Sequence, residues 1–141
     1  MKKKIVIIGI GVVLLAITAG IVCCKLAKKS GNEDEEKVTD YTQITMAEAK
    51  EIFSTPGDYI ILDVRRADEF ASGHIPGAIN FTNEDIGTIP PSKLPDMNQT
   101  IYVYCRSGRR SKDASAKLVA MGYTHIIECG GISDWTGDIE K

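Results

Sequence analysis

Thr100-Ile101-Tyr102-Val103-Tyr104, followed by Cys105-Arg106-Ser107-Gly108-Arg109-Arg110-Ser111 and then by Lys112 to Met121, is the stretch whose reading decides the architecture. Its first five residues form a short continuous run rich in β-branched and aromatic side chains, the signature of a strand covered on both faces. Its last ten offer Ala116, Leu118, Val119 and Met121 for a buried helical side, and Gly122 supplies a C-terminal cap. Between them lies a loop of glycine, serine and arginine. A thiol at the end of such a strand looks into a turn whose amides point toward a helix N-terminus, and that is an anion cradle. Gly108 supplies backbone freedom, while Arg106, Arg109 and Arg110 add positive potential, so the arrangement favours the thiolate, which is the nucleophile. The plainer reading, a buried thiol under solvated arginines, suits a cysteine inside a strand better than one that opens this loop.

Working outward, Thr45 followed three residues later by Glu48 makes a capping box for a helix through Phe53, with Met46, Ala49, Ile52 and Phe53 at helical spacing. Pro56-Gly57 breaks it. Tyr59 to Leu62 then reads as a buried strand ending at Asp63, Ala67 to Ser72 as one or two helical turns stopped by Gly73, and Ala78 to Phe81 as another short strand. The segment with Pro90, Pro91 and Pro95 reads as loop with one turn near Lys93, and His125 to Glu128 as a last strand closed by Gly130-Gly131. Strands this apolar, separated by short helices, predict a mainly parallel α/β sheet covered on both faces. Ligands in that architecture sit at the carboxyl ends of the strands, which directs attention to the loop after Tyr104.

Four pieces of the chain, in this order between Tyr41 and Lys141, together carry a family resemblance. They are Leu62-Asp63-Val64-Arg65 with Glu69-Phe70, Gly73-His74-Ile75-Pro76-Gly77-Ala78-Ile79-Asn80, Cys105-Arg106-Ser107-Gly108-Arg109-Arg110-Ser111, and Gly130-Gly131-Ile132-Ser133-Asp134-Trp135. The set resembles the rhodanese family, the thiosulfate sulfurtransferases and their single-domain relatives. The resemblance implies a five-stranded parallel sheet flanked by helices, and a catalytic Cys105 that carries sulfur as a persulfide. A small anionic donor such as thiosulfate would load it, and a thiol or cyanide would unload it, by ping-pong covalent catalysis. The loop amides from Arg106 to Arg110, with Ser107 and Gly108 among them, would stabilise the charges, and the arginine side chains would draw in the donor. No metal or organic cofactor is implied.

The remaining matched residues read as structural support. Asp63 is placed to bond nearby loop amides, and Arg65 to pair with Glu69 four residues on. His74 is expected to hold its loop rather than act as a base, and Trp135 with Ile132 to pack the C-terminal turn onto the core. Cys129 ends the strand expected beside that of Cys105. It is read as a buried thiol, with resolution of the persulfide or a disulfide to Cys105 as the sharper alternative.

Charge and hydropathy divide the 141 residues. Residues 1–30 hold six of the 17 basic side chains and none of the 19 acids, leaving 11 basic against 19 acidic, net −8, for the rest. A body so acidic argues against nucleic acid as partner. The four cysteines show no CxxC pair and no zinc-ligand spacing. From Ile5 to Cys24 no residue is charged, and a helix of that length spans about 30 Å, one bilayer core. The expected organisation is therefore a membrane anchor or signal segment over 1–29, an acidic linker over 30–39 and one domain over 40–141. The domain is expected outside the cytoplasm, anchored, or secreted if the segment is cleaved. Two rival functions remain. One is a cysteine-loop phosphatase or arsenate reductase, although such loops place His before the cysteine and Arg six residues after it, where this chain has Tyr104 and Ser111. The other is a catalytically silent module tethered to the membrane.

Overall fold

Thr45 holds the extended backbone of a helix cap; its side chain accepts the Glu48 N–H, and the Glu48 carboxylate accepts the Thr45 N–H at 2.7 Å. This capping box starts α1, Met46–Phe53. The computed structural model describes residues 41–87 and 90–141. The expected anchor and acidic linker lie outside these residues. Among the described residues no helix is long and apolar enough to cross a membrane.

Five strands, β1 (Thr42–Gln43), β2 (Tyr59–Asp63), β3 (Ile79–Asn80), β4 (Thr100–Cys105) and β5 (Ile126–Gly131), form one sheet of order β1-β5-β4-β2-β3. Every neighbouring pair is parallel. Two further helices, α2 (Ala67–Ser72) and α3 (Arg109–Ala120), fill the crossovers, with 3-10 turns at Asn83–Asp85 and Ile132–Asp134. β1 has no sequence signal: it is two exposed residues held by pairing with Ile127 and Glu128.

Successive β4 side chains alternate between the two faces, as strand geometry requires. Ile101, Val103 and Cys105 join the core beneath α3, with Leu62, Val64, Ala114, Leu118 and Ile126. Tyr102 and Tyr104 join the core beneath α1, with Met46, Ala49, Ile61 and Cys129. Leu62, Ile101, Val103 and Leu118 expose no surface. Truncating any one of them to Ala would cost on the order of 2–5 kcal/mol.

α3 corrects the sequence reading in two respects. It begins at Arg109 rather than Lys112, because Gly108 caps it from inside the loop with φ +94°. Its buried stripe is Ser111, Ala114, Ser115 and Leu118, and Ala116, Val119 and Met121 are only partly covered. Those four follow i, i+3, i+4, i+7 spacing, but two are serines, so of the expected residues only Leu118 is among them, while Val119 and Met121 pack at the margin of the same core.

The end of β5 is irregular. Val103 pairs with Glu128 but Cys105 pairs with Gly131, so β5 holds one extra residue, with Gly130 at φ +88°. The bulge brings Gly131 under the loop: a Cβ there would stand 2.6 Å from Ser107 Cα. Only glycine allows this approach.

Candidate active site

Cys105 is the last residue of β4, in the middle of the sheet, and its residue surface is 1% exposed. Sγ accepts the Gly108 N–H at 3.1 Å. The left-handed conformation of Gly108 turns that amide back toward the strand end. Among the described residues it is the Gly108 amide of the loop that donates to Sγ. The Ser111 hydroxyl oxygen lies 2.9 Å from the Gly108 carbonyl, and the Arg106 carbonyl accepts the Ser133 N–H at 3.2 Å, so both ends of the loop are in contact with their surroundings.

The three loop arginines differ. Arg106 and Arg109 are exposed, as is Ser107, and neither guanidinium has a hydrogen bond or ion pair among the described residues. Arg110 makes a bidentate pair with Glu69, Nη1 to Oε2 at 2.7 Å and Nη2 to Oε1 at 2.9 Å. The Arg110 hydrogen bonds hold the Glu69 carboxyl down at about 2. The expected Arg65–Glu69 pair is therefore corrected. Arg65 precedes α2, whose cap is Arg66, so helical four-residue spacing does not bring it over Glu69. Arg65 instead grips Asp63, Nη2 to Oδ2 at 2.7 Å and Nε to both carboxylate oxygens, and donates to the Gly73 carbonyl at 2.7 Å. Asp63 also accepts the Arg65 N–H, so β2, the following turn and the 73–75 loop form one braced unit.

His74 stacks on Phe70 at 3.7 Å, and its Nδ1 lies 3.1 Å from the Phe70 carbonyl. Its backbone exchanges two hydrogen bonds with Glu140. The next amide, that of Ile75, donates to the Tyr104 hydroxyl. Burial first, then Asp63, keeps that phenol far above its ordinary range and neutral. Trp135 packs in the α1-side core, while His125 is exposed.

Cys129 does not approach Cys105. In the β4–β5 register Glu128 shares the face of Val103, so Cys129 points to the opposite side of the sheet, into the α1-side core. Both thiols are free. Burial, followed by the neighbouring Glu128, pushes Cys129 up to about 12. The disulfide and the direct resolving role are thus excluded by the sheet lying between the two side chains.

Two cavities border these elements. One of about 300 Å³ adjoins the loop and is bounded by Arg65, Glu69, Ser72, Arg106, Ile132 and Ser133. A larger one of about 470 Å³ lies around Trp135, Phe53 and Pro76. Of the two, the smaller cavity is the one bounded by a residue of the Cys105 loop, Arg106.

Sequence reasoning missed three residues at this site: Ser111 as a tie within it, Glu128 and Gly131. The available signal for Glu128 was a carboxyl group inside the apolar run Ile126-Ile127-Glu128-Cys129.

The family model described as "Rhodanese-like domain" matches residues 45–138. The chain belongs to this family. Thiosulfate sulfurtransferase PspE of Escherichia coli is 38% identical to it over 73 residues, covering 52% of this chain and 70% of that protein. A sulfurtransferase of Allochromatium vinosum is 37% identical over 79 residues, covering 55% and 72%. Among solved structures, a rhodanese with anions from E. coli superposes with a TM-score of 0.54 at 35% identity, covering 59% of this chain and 98% of that one. The five-stranded parallel sheet with flanking helices is thus the rhodanese-like fold.

Proposed function

We propose that this rhodanese-like domain is a sulfurtransferase working through a persulfide on Cys105. In the first half-reaction the Cys105 thiolate attacks the outer sulfur of thiosulfate; the new S–S bond forms as the old one breaks, and sulfite leaves with the bonding pair. In the second, cyanide or a thiolate attacks the outer sulfur of the persulfide and Cys105 departs as thiolate. No external oxidant or reductant is needed, and one difficult transfer becomes two easier steps. The observation that carries this reading is the hydrogen bond from the Gly108 amide at the start of α3 to the Sγ that ends β4. A donor fixed there stabilises negative charge on sulfur without reorganising. Arg110 is engaged by Glu69, so capture of the anionic donor falls to Arg106 and Arg109. Ser107 contributes backbone to the loop, and Asp63, Arg65, Glu69 and His74 brace its surroundings.

Incubating the purified chain with thiosulfate and weighing it intact tests the proposal. Gain of one sulfur atom, removed by cyanide and absent from Cys105→Ser, is expected. A wild-type chain that never gains sulfur overturns it. The site geometry does not favour a phosphatase or arsenate reductase: the guanidinium at the fifth position after Cys105 is held by Glu69, and the sixth residue, Ser111, is held by Glu128. No release of phosphate from an aryl phosphate is expected. Unchanged function of Cys105→Ser in the host would favour the silent module instead.

The proposal includes a tether. The uncharged run 5–24 supports an anchor that keeps the domain outside the cytoplasm, with secretion after cleavage as the alternative. Recovery of the full-length chain in carbonate-washed membranes, accessible to added protease in spheroplasts, is the expected result.

A further inference from the structure

Glu128 is 2% exposed, lies within β5 and faces α3. Among the described residues no Lys, Arg or His forms an ion pair with it. Its hydrogen bonds both fall on Oε1, which accepts the Ser111 hydroxyl through a short bond and the Gly130 N–H at 2.8 Å. A carboxyl group buried without a cation is costly, and an apolar side chain of similar size would suit a core position better. Its two contacts show where that cost has a return. Ser111 belongs to the first turn of α3 and also meets the Gly108 carbonyl; Gly130 is the bulge residue. Between them lies the Cys105 loop. A Cβ on Gly108 would stand 3.7 Å from Gly130 Cα, and Gly131 presses directly beneath Arg106 and Ser107.

We propose that Glu128 is a positioning residue for Cys105: by joining Ser111 to Gly130 it locks the start of α3 against the β5 bulge and so holds the Gly108 N–H on Sγ. It touches no substrate. The functional consequence rests on the sulfurtransferase reading above, whereas the positional claim does not.

The test compares the full-length chain with Glu128→Leu, Glu128→Gln and Ser111→Ala. Amide hydrogen exchange is followed at Gly108 and, as a control for global opening, at Val103 within β4. The rate of sulfur loading from thiosulfate is measured in parallel. In Glu128→Leu, exchange at Gly108 should accelerate about tenfold with Val103 unchanged, and loading should slow about tenfold, less than the hundredfold that a displacement of about 1 Å can cause. Glu128→Gln should stay within about twofold of wild type, because its carbonyl can accept both hydrogens. Unchanged exchange at Gly108 in Glu128→Leu overturns the proposal. So does equal acceleration at Gly108 and Val103, which would make Glu128 a residue of general stability only. Should Glu128→Leu fail to fold, Ser111→Ala is judged by the same two amides. A wild-type chain that takes up no sulfur defeats the sulfurtransferase reading while leaving the exchange result to decide the positional one.

Discussion

Cys105 and Cys129 end neighbouring strands, are 1% and 2% exposed, and are both free thiols. Their surroundings are opposites. Cys105 looks to the α3 side, where an amide from a helix start meets its sulfur. Cys129 looks to the α1 side, where its contact is a carbonyl 3.7 Å away and burial pushes it up to about 12. Burial alone therefore does not tell the two thiols apart. What matters is which face of the sheet the side chain takes and whether a backbone donor waits there.

The largest expected effect is the contrast between the two serine substitutions. Cys105→Ser should abolish sulfur loading, while Cys129→Ser should leave its rate within about twofold. A reversal of that order would break the comparison outright, and a thiosulfate–cyanide assay on both variants decides it. Next comes Gly131→Ala. A methyl group there would collide with the backbone of Arg106 and Ser107, and backbone cannot rotate aside as a side chain can. Overpacking of this kind typically costs about 1–3 kcal/mol. Sulfur loading should fall about a hundredfold as the loop shifts. Urea unfolding gives the first quantity and the loading rate the second.

A smaller effect is expected at the Glu69–Arg110 pair. The Glu69 carboxyl is lowered in the folded state from an ordinary 4.5 to about 2, so its stabilisation is fully present above about pH 4.5 and is lost as pH falls toward 2. Glu69→Gln should therefore be less stable by about 1 kcal/mol near neutrality, allowing for solvent screening of a partly exposed pair, with the difference closing in acid. Stability curves of both proteins between pH 2 and pH 7 would show this. A constant gap would mean that the pair acts through packing alone.

The smallest effect concerns Cys129 in alkali. Its folded value is raised from 9 to about 12, so the stabilisation it contributes is present below about pH 9 and fades as pH rises toward 12. Cys129→Ala should cost about 1 kcal/mol at neutral pH through the cavity left behind. That deficit should shrink above pH 9, as seen by denaturant unfolding across this interval.

Much of this was legible in the sequence because it is local. The Thr45–Glu48 capping box, the apolar runs of β2 and β4, and the Gly/Arg/Ser loop after Cys105 each involve residues only a few positions apart, and local sterics and hydrogen bonding decide them. The failures were non-local. Arg65 and Glu69 have helical spacing, yet Arg65 lies ahead of the helix, and the cation that Glu69 meets comes from α3, 41 positions later. β1 exists only because β5 offers an edge to pair with. The buried face of α3 was legible only in part, at Leu118, because two of its members are serines, one of them engaged by Glu128.

Residue order alone determined that a thiol would end a buried strand and open a loop with a glycine and three arginines, because strand, turn and helix are set by neighbouring side chains. Only the folded sheet decided which arginine is paired, which cysteine lies beneath the loop, and that Glu128 and Gly131 form its floor. Those outcomes depend on strand register: alternation along β5 sends Glu128 and Cys129 to opposite faces, and the single extra residue that follows Glu128 carries Gly131 under the loop.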